Sequence, residues 1–405
     1  MYQDKALEHI HRTIHAIQRS TFRQAYCFHW DSKKRWTIPL QNGTKYRNFQ
    51  ILCNLFIFLF TPAFIARSCH LATTIRQETP TSIAVTFMAA AVLTGSVPLL
   101  LFLRRPSGPK KYIFLYNATL RLEKYLEALC QNYDLNPTSL QTVKTFNKMG
   151  SSFFFGLDYV APLIFSIVSF SHASPAYTAI RAIRNFERHG KLYSILVLLL
   201  SGILSSLGCL FLIAMLSACI LVSGYGVVCL YLWTVAMTPR SWVGAEFPFK
   251  MSIHMHNCLR HVTILHSEVA HDMVVTCLHH AAMVLISTIG LYNIITELAK
   301  GEGMSLMLIC IGVALISFSV MIETFAIYFN GMASTWSKRF LEKLRLAHGG
   351  NKYKRKVLRS LLPNYIALEI LSSANTLKNG IQMEYFANYF TRVTDNTVDL
   401  LLANK

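Results

Sequence analysis

Near the C-terminus, Arg392, Asp395, Asn396 and Asp399 interrupt the otherwise apolar stretch EYFANYFTRVTDNTVDLLLA, residues 384–403. Acids and an arginine three and four positions apart can pair along a helix. Left without such pairing, they act on ions. Twenty helical residues reach about 30 Å, the hydrocarbon thickness of a bilayer. A charge at that depth costs at least about 2.5 kcal/mol, so it faces protein or water rather than lipid. The chemistry on offer is an ion path or a polar lock inside the membrane.

Winding this stretch at about 100° per residue separates two faces. Phe390, Thr394, Thr397, Leu401 and Asn404 fall on one side, and Arg392, Asp395 and Asp399 on the other. In the first assignment the Thr/Leu/Asn stripe lines a pore. Leu401 then forms a constriction that gates by dewetting, while hydroxyls and amides replace lost hydration. The charged stripe would lock the helix against its own subunit. In the second, the two acids line the pore and attract cations. A third reading is a polar helix buried in a monomeric bundle.

Histidine is the other group with chemical potential, at fifteen residues. His254, His256, His261, His266, His271, His279 and His280 crowd one region. His266 and His271 have the spacing of a single histidine box, but a di-iron site needs several boxes and no HExxH accompanies them. Solvated or packing histidines are expected, with no metal and no cofactor. No phosphate loop, nucleophile elbow or Cys/His pair is present, so no catalytic residue is assigned and the chain reads as a non-enzyme.

The elements that must position these residues are membrane spans. The chain is 53% hydrophobic and 15% charged, whereas soluble proteins carry about 25% charged residues. Long apolar runs rather than alternation indicate helices, not a barrel. Runs at roughly 49–66, 82–103, 152–172, 205–237, 272–298 and 304–329 precede the terminal helix, giving seven spans. The stretch 193–237 has no turn chemistry and is read as one long helix beginning outside the bilayer.

With the N-terminus inside, the cytoplasmic segments hold thirty lysines and arginines against eight outside. That is a strong positive-inside bias, and it places the C-terminus outside. The cluster Arg181–Lys191 runs against it. The net charge of +19 is thereby assigned to loops beside anionic membrane lipids, not to nucleic acid. Ten scattered cysteines without a CxxC give no disulfide framework. No cleavable signal peptide is visible in the charged N-terminal stretch.

The organisation expected is a cytoplasmic N-terminal helix (1–48) and a six-helix bundle (49–329) with cytoplasmic helical loops at 104–151 and 238–271. A cytoplasmic anchor (330–383) and a pore-lining seventh helix (384–405) follow. Apolar residues recur helically in 112–150, and 334–346 is amphipathic. Residues 247–271 read as an extension of the fifth span. These segments suggest an intracellular collar, with helices lying on the membrane surface as the alternative. The sequons at Asn42 and Asn117 read as chance matches on cytoplasmic segments.

The tail from Thr397 to Lys405 resembles the C-terminal signature of the insect-type gustatory and odorant receptor superfamily of arthropods. Thr397 matches its threonine, Leu400 to Ala403 its apolar run, and Asn404 stands in for its glutamine; Val398, Asp399 and Lys405 depart from it. Ile289-Gly290-Leu291-Tyr292 and the run from Leu358 to Ala374 also look like the family. The resemblance covers the chain in topology, through short motifs, and suggests a divergent member.

That resemblance implies a ligand-gated, non-selective cation channel passing Na+, K+ and Ca2+, expected to be of gustatory type with the odorant type as the alternative. It would be a homotetramer or a heterotetramer with related subunits, in the plasma membrane of chemosensory neurons. The last helix of each subunit would form the pore, with Leu401 at the gate and Asn404 at a polar ring outside it. A small-molecule tastant or odorant would bind in the outer halves of the second to fifth spans, with Phe87, Phe165, Ser169, Leu212 and Tyr292 as candidates. The competing classes are a G-protein-coupled receptor, whose usual signatures are absent, and a polytopic enzyme or transporter, for which no internal repeats are found.

Overall fold

The computed structural model describes residues 27–31, 36–39, 43–73, 80–131, 160–183, 191–238, 247–272, 276–301, 303–366 and 384–403, with residues 148 and 156. Helix dominates, as the apolar runs require. Helix α1 (Thr44–Asn54) passes through a π-helical stretch, Leu55–Phe60, into α2 (Thr61–Thr73). Next come α3 (Pro80–Arg104), α4 (Ser107–Leu129), α5 (Ala161–Ser169) and α6 (Pro175–Ile183). The long helix α7 (Lys191–Met237) is followed by α8 (Phe249–Asp272) and α9 (Thr276–Ala299). Helix α10 (Leu306–Glu323) continues through a second π-helical stretch, Thr324–Tyr328, into α11 (Phe329–His348). Helices α12 (Lys352–Ser360) and α13 (Glu384–Ala403) complete the chain.

Among the described residues, five helices are long and apolar enough to cross a membrane: Thr44–Thr73, Thr81–Arg104, Lys191–Met215, His280–Ala299 and Leu306–His348. Two of the seven expected spans fall outside that set for different reasons. The third is described only in its second part, as α5. The last, α13, has twenty residues but carries the charges of the terminal stretch. The protein is an all-α integral membrane protein.

The expected single helix at 193–237 is seen as the 47 residues of α7, about 70 Å at 1.5 Å per residue. Only part of such a rod fits in a bilayer. Helix α11 likewise prolongs the sixth span, and its Ser334, Ser337, Phe340, Leu341 and Leu344 are buried. Phe340, Leu341 and Leu344 pack with Trp233, Val235 and Ala236 of α7 in one apolar cluster. The amphipathic face of 334–346 therefore closes on a partner helix instead of lying on a membrane surface. Residues 273–275, which decide whether α8 prolongs the fifth span, lie outside the described residues, as do 132–147 of the first helical loop.

Helices α9 and α10 cross at two glycines. A Cβ on Gly290 would stand 3.2 Å from the Gly312 carbonyl oxygen, and one on Gly312 would stand 3.0 Å from the Gly290 carbonyl oxygen. Small residues allow this backbone approach where burial from water gives no drive between helices.

The segment 1–48, read from sequence as a helix, is corrected in its second half. Phe28–Asp31 (β1) and Trp36–Pro39 (β2) form an antiparallel pair, and residues 1–26 lie outside the described set. Tryptophans, Thr37 and Ile38 suit an extended backbone better than a helix. The hairpin is pinned to α4: Thr37 N–H donates to Asn117 Oδ1 at 3.1 Å, and Asn117 Nδ2 donates to the Thr37 carbonyl at 2.8 Å. The side chain of Asn117, in the chance sequon, is thus consumed inside the protein.

Beyond α12, residues 361–366 run extended between α8 and α11. Side chains, not a neighbouring strand, satisfy this segment. Asn330 Nδ2 donates to the Ile366 carbonyl at 2.7 Å and Asn330 Oδ1 accepts from Ile366 N–H at 2.9 Å. Ser337 Oγ accepts from Asn364 N–H at 2.8 Å, and Arg260 donates to the Pro363 carbonyl at 3.2 Å. His256 Nε2 lies 3.2 Å from the Leu362 carbonyl, while its Nδ1 lies 3.2 Å from Asn364 Nδ2. A carbonyl only accepts, so Nε2 carries the proton and Nδ1 accepts from the amide: a neutral imidazole. Burial pushes the His256 pKa down to about 4.

Candidate ligand cavity and terminal helix

Inside the bundle lies a cavity of about 330 Å³, walled almost entirely by apolar atoms. Such a pocket, with few polar groups, is the usual form of a small-molecule site. One wall is an aromatic ladder at four-residue spacing on the first span, Phe56, Phe60 and Phe64. Two of its rings, Phe56 and Phe60, lie 5.4 Å apart. Val85, Met88, Ala89 and Val92 of α3 form a second wall, and Phe165 and Val168 of α5 a third. Helix α7 contributes Leu204, Gly208 and Leu212, and α10 closes the space with Ile311, Leu315 and Phe318.

The polar atoms bordering the cavity are those of Ser169, Ser201, Ser205 and Cys209. Ser169 Oγ donates to the Phe165 carbonyl at 2.7 Å and lies 3.4 Å from Ser205 Oγ. Ser201 Oγ donates to the Leu198 carbonyl at 3.2 Å. Among the described residues, no carboxylate, amine or guanidinium lines the space. Water-seeking ligands such as sugars would lose most of their hydrogen bonds there.

Of the five residues named from sequence, Phe165, Ser169 and Leu212 line this cavity, and Phe87 and Tyr292 do not. Phe87 sits about 150° around α3 from the face made by residues 85, 88, 89 and 92. Tyr292 belongs to α9, which contributes nothing to the lining. Sequence reasoning also missed the first and sixth spans as walls. The signal for the first was available in the spacing of Phe56, Phe60 and Phe64.

Helix α13 packs through Tyr389, Val393 and Thr397, one residue per turn. Thr397 is 2% exposed, with its hydroxyl bonded back to the Val393 carbonyl at 2.6 Å. Within the subunit Thr397 therefore faces the bundle. Phe390 and Thr394 are exposed, and Leu401 is half-buried. Asn404 lies outside the described residues. Arg392, Asp395 and Asp399 are all exposed, so the charged stripe does not lock the helix to its own bundle. Tyr389 and Val393 instead join an apolar cluster with Met283, Val284 and Ile286 of α9.

What ties α13 to the bundle is polar and came unseen from sequence. Tyr389 Oη and Ser287 Oγ of α9 share a hydrogen bond of 2.6 Å, and both are buried. Beside them His280 Nδ1 lies 3.3 Å from a carboxylate oxygen of Glu323, which is fully buried. The His280 and Tyr389 rings are 6.0 Å apart. Tyr328 and Phe386 add an edge-to-face contact at 5.6 Å. The signal for Glu323 was its position as the acid within the apolar run 304–329, where an ionisable residue is expected to have a function and a partner. Among the described residues, no group of three or more His, Cys, Asp or Glu side chains could hold a metal.

No family model matches the chain, and no curated protein matches it. Solved structures do. The olfactory receptor OR5 from the insect Machilis hrabei superposes with a TM-score of 0.56 at 10% identity, covering 98% of this chain and 99% of that one. The structure of the same receptor in complex with eugenol gives a TM-score of 0.55 at 11% identity, with 98% and 99% covered. The fold is that of an insect olfactory receptor. The olfactory-receptor fold extends over essentially the whole chain, including α11 and α12 beyond the spans.

Proposed function

We propose that this chain is a subunit of a ligand-gated cation channel of the chemoreceptor kind, opened by a small apolar molecule in the cavity between α2, α3, α5, α7 and α10. The observation that carries this reading is the pairing of a full-length olfactory-receptor fold with an apolar cavity of odorant size. A neighbour of this fold binds eugenol, a molecule with an aromatic ring and few polar atoms. The lining described above favours that class over sugars, and so an odorant-type rather than a sugar-type ligand.

In this reading the N-terminus is cytoplasmic, the C-terminus extracellular, and four subunits surround a pore lined by α13, in the plasma membrane of a chemosensory cell. Na+, K+ and Ca2+ are the permeant ions. The face of α13 opposite Tyr389, Val393 and Thr397 carries Thr391, Asp395, Val398 and Leu402, with Asp399 beside them. This arrangement supports the second of the two assignments above, acids toward the ion path. The hydrophobic constriction falls on the turn 398–402, where Leu401 is partly covered by its own bundle and Val398 and Leu402 are bare.

Voltage-clamp recording of cells expressing the chain tests this, with apolar volatiles and sugars applied to wild type, Leu401→Ala and Leu402→Ala. Volatile-evoked cation current, with leak in at least one variant, is expected. Current evoked by sugars but not volatiles would reject the ligand class. A surface-expressed chain silent under every condition, alone and alongside related subunits, would reject the channel.

A further inference from the structure

Residues 338–359, at the far end of α11 and along α12, hold nine lysines and arginines against a single acid, Glu342. Positive-inside bias explains basic residues that lie near the lipid headgroups. It does not explain these. The chain retraces α11 after the turn at Gly349: Arg345 donates to the Leu358 carbonyl at 3.4 Å, and Asn364 then meets Ser337. Arg345 lies about 24 Å along the helix from Phe329, where the apolar run ends, at 1.5 Å per residue. The screening length at physiological salt is about 8 Å. With the boundary at Phe329 and α11 along the membrane normal, helix α12 would stand some three screening lengths from the bilayer.

Part of this charge is used internally. The Lys354 ammonium lies 5.1 Å from the Phe249 ring centre, and the Arg339 guanidinium 5.2 Å from that of Trp336. Four of the others are displayed together. Lys352, Arg355, Lys356 and Arg359 fall within a 100° arc of α12, and all four are exposed. The helix that carries them is held firmly. Leu358 is fully buried, and Asn351 Oδ1 caps the first turn, accepting from Tyr353 N–H at 3.0 Å and Lys354 N–H at 3.1 Å.

Large apolar side chains flank the cations in water. Tyr353 is 74% exposed, Leu346 65% and Leu362 56%. A rigid cationic face edged by bare aromatic and aliphatic groups is complementary to an acidic segment that also carries apolar side chains. A polyphosphate or RNA backbone would use the charge and leave the leucines wet.

We propose that this tip of the rods is a docking site for an acidic, apolar-containing segment of a soluble cytoplasmic protein. Attraction by the four arc cations speeds encounter, while Tyr353, Leu346 and Leu362 hold the bound segment. The bound partner would sit against the extended 361–366 segment, whose Leu362 edges the cationic face.

The test uses the purified full-length chain in nanodiscs of uncharged lipid, read by fluorescence anisotropy. The probe is a labelled helical peptide with glutamates on one face and leucines on the other. Binding is expected, weakened at least about tenfold on raising salt from about 0.15 to about 0.5 M or by Lys352→Glu with Lys356→Glu. The pair Tyr353→Ser and Leu362→Ser should weaken this peptide about tenfold and leave polyglutamate binding unchanged. Equal affinity for polyglutamate or for an RNA oligomer would overturn the proposal, leaving a solvated cationic face. So would loss of the peptide on replacing the nanodisc lipid with phosphatidylserine, which would put the patch at the bilayer. Monodisperse elution of each variant guards against reading misfolding as lost binding.

Discussion

Tyr389→Phe removes one oxygen and nothing else. The ring keeps its place against His280 and Phe390, so no cavity opens, and the loss is the 2.6 Å hydrogen bond to Ser287. A buried neutral hydrogen bond contributes roughly 1 kcal/mol net. Ser287 can turn its hydroxyl to a carbonyl one turn back along α9, so little further penalty accrues. If the bond belongs to the closed state, each subunit loses about 1 kcal/mol of closed-state preference, a factor of about five in equilibrium. Four subunits gating together would multiply this to about 4 kcal/mol, approaching a thousandfold. Dose–response recordings of wild type, Tyr389→Phe, Ser287→Ala and the double variant read this directly. The expected result is current without ligand and a half-maximal concentration lowered at least about fivefold in each single variant. The double variant should add almost nothing, because one bond can be lost only once. Unchanged activation in Tyr389→Phe, or additive effects in the double variant, would show that the bond does not hold the helix closed.

Other outcomes follow from the same geometry. Leu212→Trp, placed in the cavity wall, should abolish ligand-evoked current while sparing any leak produced by Leu401→Ala; radioligand or displacement binding checks it. Alkylation of Cys209 by N-ethylmaleimide, followed by mass spectrometry, should slow in the presence of an activating volatile, since the thiol borders the cavity. His256 binds its proton only at about pH 4 in the folded chain against 6.5 unfolded. A depressed folded value means the unfolded chain takes up the proton first, so stability falls as pH drops from 6.5 toward 4, by up to roughly 3 kcal/mol. The acid-induced drop in Tm should be smaller in His256→Gln, whose stability at pH 8 must be compared separately. Asp395→Asn with Asp399→Asn should lower the calcium-to-sodium permeability ratio, measured from reversal potentials, if those acids face the ion path.

The spans and the long helix α7 were legible because lipid demands uninterrupted apolar length and α7 contains no turn residues. The rotation of α13 was not. A wheel sorts Phe390, Thr394, Thr397 and Leu401 from Arg392, Asp395 and Asp399, but it does not say which edge meets the bundle. That depends on Ser287 and Glu323, more than sixty residues away in sequence. The cavity was half legible for the same reason. Phe165, Ser169 and Leu212 sit at plausible depths on lining helices, whereas Phe87 lies on another face of a lining helix and Tyr292 on α9, which lines none of the cavity. The hairpin at Phe28–Pro39 escaped notice because four-residue strands carry little periodic signal, and Asn117, which holds it, lies eighty residues away.

The way the 361–366 segment is fastened bears on how such a protein can diverge. His256, Arg260 and Asn330 grip carbonyls and an N–H of Leu362, Pro363 and Ile366, atoms that belong to the backbone and survive most substitutions. The cost of change therefore rests on the gripping side chains and on Asn364, not on the stretch that is gripped. Between Leu361 and Ile366 a lineage can rewrite much of its lettering and still hold this segment on the same course between α8 and α11. Short motifs written over such a stretch would fade quickly while the architecture endured.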